Sequence, residues 1–260
     1  MNRKPDFLSF PAGLLQEEPL RLDILRETND WLALHKPADL AAIRRGYGKE
    51  KHFSIGDALQ CEYERGKPQL QAHGFEGIHS LCAPAYEVEG IYLLAKNPAS
   101  RKNLREAMGS GRFLFHYQFW SLPRPELPDQ LECDLPVARH RQEDRALVSH
   151  RTGKKASTLF RRLHALPGGD YWESTSAFDR WHQVRLHAAE SGIPPLLDSL
   201  YGGSEELPYD WRKILPRRRT TFPSLFQSAL LLPDEPPLAI PLPKLWKKLQ
   251  NSLTPTNQST

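Results

Sequence analysis

The chain has little cysteine, no long apolar run and no strong excess of either charge, and each shortage removes a class of answer. Its three cysteines, Cys61, Cys82 and Cys133, are too widely spaced for a C-x-x-C pair. That excludes a zinc ribbon or a disulfide framework, and the thiols read as reduced packing residues. Among ten histidines, His182 and His187 lie close together, but a spacing of five on a helix does not put both on one face for a metal. No metal site and no cofactor is expected. Nothing approaches a membrane span and residues 1–20 carry no signal-peptide core, so a cytoplasmic location is expected. There is no internal repeat. The net charge is only +4.

What is present is a chain of 260 residues, enough to bury a sizeable core in a single domain. Strand-like runs fall at Trp31–Leu34, Gly90–Ala95, Phe113–Trp120 and Tyr171–Ala177, and helical patterns at Ile55–Gln60, Ala99–Met108 and His182–Ser191. The irregular alternation is an α+β pattern with a mixed sheet. Residues 1–20 read as an irregular segment with Pro5, Pro11 and Pro19, and residues 21–250 as the domain. Residues 121–136, with four prolines, read as a loop across the mouth of a cleft. Residues 251–260 are polar and read as a disordered tail.

The modest charge is unevenly spread. Basic and acidic residues balance over residues 1–130, leaving the excess in the second half. Arg139, Arg141, Arg145, Arg151, Lys154, Lys155, Arg161 and Arg162 face only Glu143 and Asp144 along one stretch, and Arg217-Arg218-Arg219 follows Arg212-Lys213. Clusters of this kind suit a phosphate backbone, although an isolated charge run is more often a solvated face.

The most informative stretch is Asp179-Arg-Trp-His-Gln-Val-Arg-Leu-His187, followed eleven residues later by Asp198-Ser-Leu-Tyr-Gly-Gly203. It reads as a short helix with Arg180 and Arg185 near its start, stopped by Gly192 and Pro194-Pro195. The pattern resembles the RluA-type pseudouridine synthases, in which G-R-T-H-Q-I-R-V-H precedes D-P-L-Y-G. Arg180, His182, Gln183, Arg185, His187, Asp198, Leu200, Tyr201 and Gly202 match, while Asp179, Trp181 and Ser199 depart. The likeness runs from about Leu22 to Leu249. Lys36-Pro-Ala-Asp-Leu40 is similar to the family's K-P-A-G-L turn, Gly90–Lys96 to the strand after its catalytic loop, and Phe113–Tyr117 to its K-x-Y strand. The resemblance implies an α+β fold with a mostly antiparallel central sheet, flanking helices and a basic active-site cleft. It implies no cofactor, a monomer, and a structured RNA partner, ribosomal or transfer RNA. An N-terminal S4-type RNA-binding module is not expected, since only some twenty residues precede Leu22.

The catalytic loop departs. The family reads H-R-L-D-x-x-T-S-G there, and its uridine isomerisation depends on the aspartate. Counted back from Gly90 without a gap, Ala85 stands at that position; a three-residue insertion would put Cys82 there instead. The ungapped reading keeps the loop length that the next strand requires. Neither alignment supplies a carboxylate, and an alanine methyl can neither attack the sugar nor deprotonate it. A Cys82 thiolate could attack carbon, but no neighbour evident in sequence would depress its pKa. Glu87 and Glu89 are the replacement candidates, each displaced along the chain.

By resemblance, Tyr117 faces the flipped base and Arg185 pairs with the missing aspartate. The expectation is therefore that Glu87 or Glu89 swings toward Arg185, or that water holds it until an RNA phosphate arrives; the bland alternative is an exposed Arg185. Arg180, His182, Arg139, Arg141, Lys154, Lys155, Arg217 and Arg218 are the RNA-contact candidates, with His182 also holding its segment to the fold. The functional expectation is an RNA-binding member of the family whose isomerase activity is impaired, a pseudoenzyme candidate. The alternative is an active synthase with a remodelled loop carboxylate.

Overall fold

The computed structural model describes residues 4–43, 53–108, 110–204, 206–213 and 224–253. The chain divides into two compact units where the sequence suggested one domain. The first comprises Met1–Leu114, His140–Asp144 and Ala229–Ile240, and the second Phe115–Arg139, Arg145–Ser228 and Pro241–Thr260.

The first unit opens with β1 (Phe7–Phe10), β2 (Leu20–Glu27) and β3 (Trp31–Lys36), then α1 (Ile55–Glu64), α2 (Pro68–Ala72), β4 (His79–Cys82), β5 (Gly90–Ala95) and α3 (Pro98–Ala107). Its strands order as β1-β2-β3-β5-β4, all antiparallel. β1 corrects the expectation of an irregular start. Leu8 and Phe10 alternate inward while Pro5 and Pro11 flank the run, which suits a short edge strand. α1 begins at a reciprocal cap: Ser54 Oγ accepts from the Asp57 amide at 3.1 Å and the Asp57 carboxylate accepts from the Ser54 amide at 3.0 Å. It runs four residues past the expected Gln60, to a stop at Gly66, φ +72°. The core joins Leu8, Leu22, Leu32 and Leu34 of the sheet to Ile55, Leu59 and Leu70 of the helices.

The second unit holds β6 (Leu114–Ser121), β7 (Gln130–Cys133), β8 (Val137–Arg139), β9 (Ala146–Val148), β10 (Thr158–Leu166), β11 (Gly169–Ser176), α4 (Gln183–Glu190) and α5 (Tyr209–Arg212). β12 (Leu225–Leu231) and β13 (Leu238–Ala239) form a hairpin, and α6 (Lys244–Leu253) closes the described chain. Strand order is β13-β12-β6-β11-β10-β7, with β8 and β9 paired separately. β7 corrects the loop expected over 121–136: between Pro128 and Pro136 the chain pairs antiparallel with β10 as an edge strand. α6 likewise takes in residues 251–253 of the expected tail, the remainder of which lies outside the described residues.

The core here is aromatic. Trp120 stacks on Tyr171 at 4.4 Å between ring centroids and meets Trp211 edge-on at 4.9 Å. Gly169 permits this, because a Cβ there would sit 2.5 Å from the Trp211 ring.

Candidate active site

In the first unit, β3 ends on Lys36, whose side chain is fully buried. Its ammonium donates to the carbonyls of Pro37 at 2.8 Å, Tyr86 at 3.2 Å and Val88 at 2.8 Å. A buried cation needs such acceptors, and these ones tie the connection between β4 and β5 to the end of β3. The turn after Lys36 puts Asp39 at φ +58°, where the family pattern has glycine. Aspartate is among the few residues that tolerate this conformation, which explains why the substitution is accommodated.

Ala85 starts a turn closed by the Val88 amide donating to its carbonyl at 3.0 Å. Ala85 is half-buried, Pro84 buried and Tyr86 exposed. Partial burial, then the charges of Asp39 and Glu87, raise the Tyr86 hydroxyl above its ordinary pKa. Cys82 is the buried last residue of β4, opposite Leu93. The Glu89 carboxylate meets His35 Nε2 at 2.8 Å.

In the second unit the segment before α4 is built around Gln183 and His182. Gln183 accepts from the Arg180 amide at 3.1 Å and its amide nitrogen lies within 3.0 Å of the Ser157 carbonyl, 3.0 Å of Thr158 Oγ1 and 2.7 Å of Ser176 Oγ. One side chain thus braces the turn before the helix and pins the helix start to β10 and β11. His182 is left-handed, φ +51°, a strain that a non-glycine residue sustains only when its surroundings hold it. Its ring stacks on Trp181 at 4.3 Å and its Nδ1 lies 2.9 Å from the Tyr201 hydroxyl.

Arg185 is buried, 4% exposed, which excludes the exposed alternative. Asp198, wholly buried, takes two of the guanidinium nitrogens, Nε to Oδ2 at 2.7 Å and Nη2 to Oδ1 at 2.7 Å. This is the bidentate geometry in which arginine and carboxylate bind most strongly. A third nitrogen, Nη1, faces His182 Nε2 at 3.2 Å. Arginine cannot accept a hydrogen bond, so Nε2 is the acceptor and His182 carries its proton on Nδ1, donating to Tyr201. The Tyr201 hydroxyl also accepts from the Ala146 amide at 2.6 Å, and burial pushes its pKa up to about 12.

The remaining candidates divide. Tyr117 is nearly buried and donates its hydroxyl to Asp179 Oδ1 at 3.0 Å. Arg180 lies over the Phe178 ring at 4.9 Å and donates through Nε to the Lys155 carbonyl at 3.4 Å. Arg139 is exposed and sits over the Trp181 ring at 4.7 Å. Lys154 and Lys155 are exposed. Arg141 is exposed in the connection between β8 and β9, a stretch that belongs to the first unit. Arg217 and Arg218 lie outside the described residues. Among those residues no group of three or more His, Cys, Asp or Glu side chains is placed to hold a metal, and no helix is long and apolar enough to cross a membrane. Sequence reasoning named Asp198 and Tyr201 only as motif matches and Asp179 only as a departure. Their bonding partners are what it missed.

The fold is that of the human protein titled RNA Pseudouridylate Synthase Domain Containing 4, with a TM-score of 0.67 at 20% identity over 88% of this chain and 91% of that one. Human RNA Pseudouridylate Synthase Domain Containing 1 gives 0.57 at 17% identity over 86% and 83%. In sequence, Ribosomal large subunit pseudouridine synthase C of Rickettsia prowazekii is 29% identical over 188 residues, 72% of this chain and 58% of that protein. Ribosomal large subunit pseudouridine synthase D of Haemophilus ducreyi is 26% identical over 193 residues, 74% and 56%. The chain is a divergent relative of the RluA-type pseudouridine synthases. No protein-family model matches it. It spans under three fifths of the length of these two curated relatives. Against the family pattern, the motif that supplies Arg185, Asp198 and Tyr201 is kept, while the loop carries Ala85.

Proposed function

We propose that this chain binds structured RNA, ribosomal or transfer RNA, and that its uridine isomerisation is impaired. The observation that carries this reading is the arginine that the resemblance pairs with the absent aspartate: Arg185 is bound through two nitrogens by Asp198, so its charge is met without a carboxylate at Ala85. An RNA phosphate backbone suits the exposed Lys154, Lys155 and Arg139, and the curated relatives are named as ribosomal large subunit pseudouridine synthases. Ala85 leaves the loop without a group to attack or deprotonate the ribose. The reading places the protein in the cytoplasm, as a monomer working without a cofactor.

The test is pseudouridine formation on total RNA from a strain lacking the gene, with Ala85→Asp beside the wild type and a Glu87→Gln, Glu89→Gln double variant. A silent wild type that still binds RNA with a steep salt dependence supports the proposal. A wild type that modifies a defined uridine, with activity lost in the glutamine variant, overturns it in favour of a loop carboxylate as the replacement.

A further inference from the structure

α6 carries its charges where the fold has no use for them. Lys244, Lys247 and Lys248 are exposed, and at spacings of three and four they share one face of the helix with the exposed Asn251. The opposite face is occupied. Trp246 meets Phe226 at 4.9 Å, Tyr171 at 6.0 Å and Trp120 at 6.2 Å between ring centroids, and Leu249 is buried in the same cluster. The helix is therefore fixed to the aromatic core of the second unit, and its lysines are held outward as one stripe.

That stripe opposes folding. Lys244 and Lys248 are like charges four residues apart, an arrangement that destabilises a helix. All three lysines fall in the first half of α6, where the backbone dipole already leaves partial positive charge, and no acid stands in the first turn to offset them. Lys4, Lys67, Lys96 and Lys213 each meet a carboxylate. Among the described residues the side chains of Lys244, Lys247 and Lys248 have neither an ion pair nor a hydrogen bond.

A charge arrangement that costs stability and finds no partner within the chain is what a polyanion would offset. Lying in a membrane surface would require the helix's apolar face, which the aromatic core already covers. What α6 presents is charge alone at fixed spacing, and lysines acting as point charges suit phosphates.

We infer that the exposed face of α6 is an RNA phosphate contact, in which Lys244, Lys247 and Lys248 grip the backbone without reading its sequence. This deepens the RNA-binding function proposed above and rests on it. None of the three lies in the basic stretches that stand out in the sequence, 139–162 and 212–219, so the contact is a separate one.

The experiment measures binding of two RNA stem-loops of unrelated stem sequence over a range of salt. It compares the wild type with a triple variant, Lys244→Gln, Lys247→Gln and Lys248→Gln, and with its charge-keeping counterpart, Lys244→Arg, Lys247→Arg and Lys248→Arg. The glutamine variant is expected to lose about three from the slope of log affinity against log salt, roughly one per lysine, and to weaken on both stems by the same factor. Its melting temperature is expected to equal or exceed that of the wild type, because repulsion within the helix is relieved. The arginine variant should keep the wild-type slope. An unchanged slope in the glutamine variant overturns the contact and leaves RNA binding standing, the result expected if the stripe serves an acidic protein instead. A lower melting temperature with an unchanged slope overturns it by assigning the lysines to the fold. A loss confined to one stem overturns the backbone reading. A wild type that binds neither stem overturns this inference and the RNA-binding function together.

Discussion

The two units hold their buried cations in different ways. In the first, the Lys36 ammonium donates to three backbone carbonyls, those of Tyr86 and Val88 in the loop between β4 and β5 and that of Pro37 beside it. In the second, the Arg185 guanidinium is met by a side chain, Asp198, from the motif that follows its own. Ala85 stands in the loop that the Lys36 bonds tie down. Side-chain partners bind Arg185, Asp198, His182 and Tyr201 to one another, and all four match the family.

The largest effect should come from breaking the side-chain pair. Asp198→Asn leaves a buried guanidinium without its counter-charge and is expected to lower unfolding stability by about 3–5 kcal/mol, read by urea denaturation. Replacing both partners with apolar residues, Arg185→Met with Asp198→Leu, should restore much of that loss, because the desolvation cost of the two charges disappears together. A double variant as unstable as the single one would mean that His182 and Tyr201 depend on the guanidinium itself.

A second charged cluster sharpens the comparison from the side of the first unit. Glu27 is approached by Lys96, by Lys4 at 3.0 Å and by the buried His73 at 3.0 Å. Burial alone would raise its pKa, but the hydrogen bonds from Lys96, Lys4 and His73 outweigh it and hold the carboxyl at about 2, from an ordinary 4.5. The folded value is depressed, so the stabilisation is fully present above about 4.5 and is lost as the pH falls toward about 2. Glu27→Gln should be less stable than wild type at neutral pH by on the order of 2 kcal/mol, and the difference should close across that acid window. A difference that stays constant with pH would assign the effect to packing.

Much of this was legible in the chain. Gly90–Ala95 is a continuous apolar run and forms β5 with those bounds, and Gly192, at φ +78°, follows the end of α4 as its position after the helical pattern implied. β1 was hidden because four alternating residues between prolines are too short to register as a period. The partner of Arg185 was hidden for another reason. Asp198 stands thirteen residues on, beyond the helix and a proline-bearing connection, and no helical or strand register relates the two. The left-handed His182 carried no signal either, since glycine, the usual mark of that conformation, is absent there.

The smallest effect belongs to the loop. Glu89 and His35 are hydrogen-bonded at 2.8 Å through side chains each 28% exposed, so water can replace the contact at little cost. Glu89→Gln should change unfolding stability by less than about 1 kcal/mol, several times less than Asp198→Asn, in the same urea experiment. A loss approaching that of Asp198→Asn would mean that the loop depends on the Glu89 side chain as the second unit depends on Asp198.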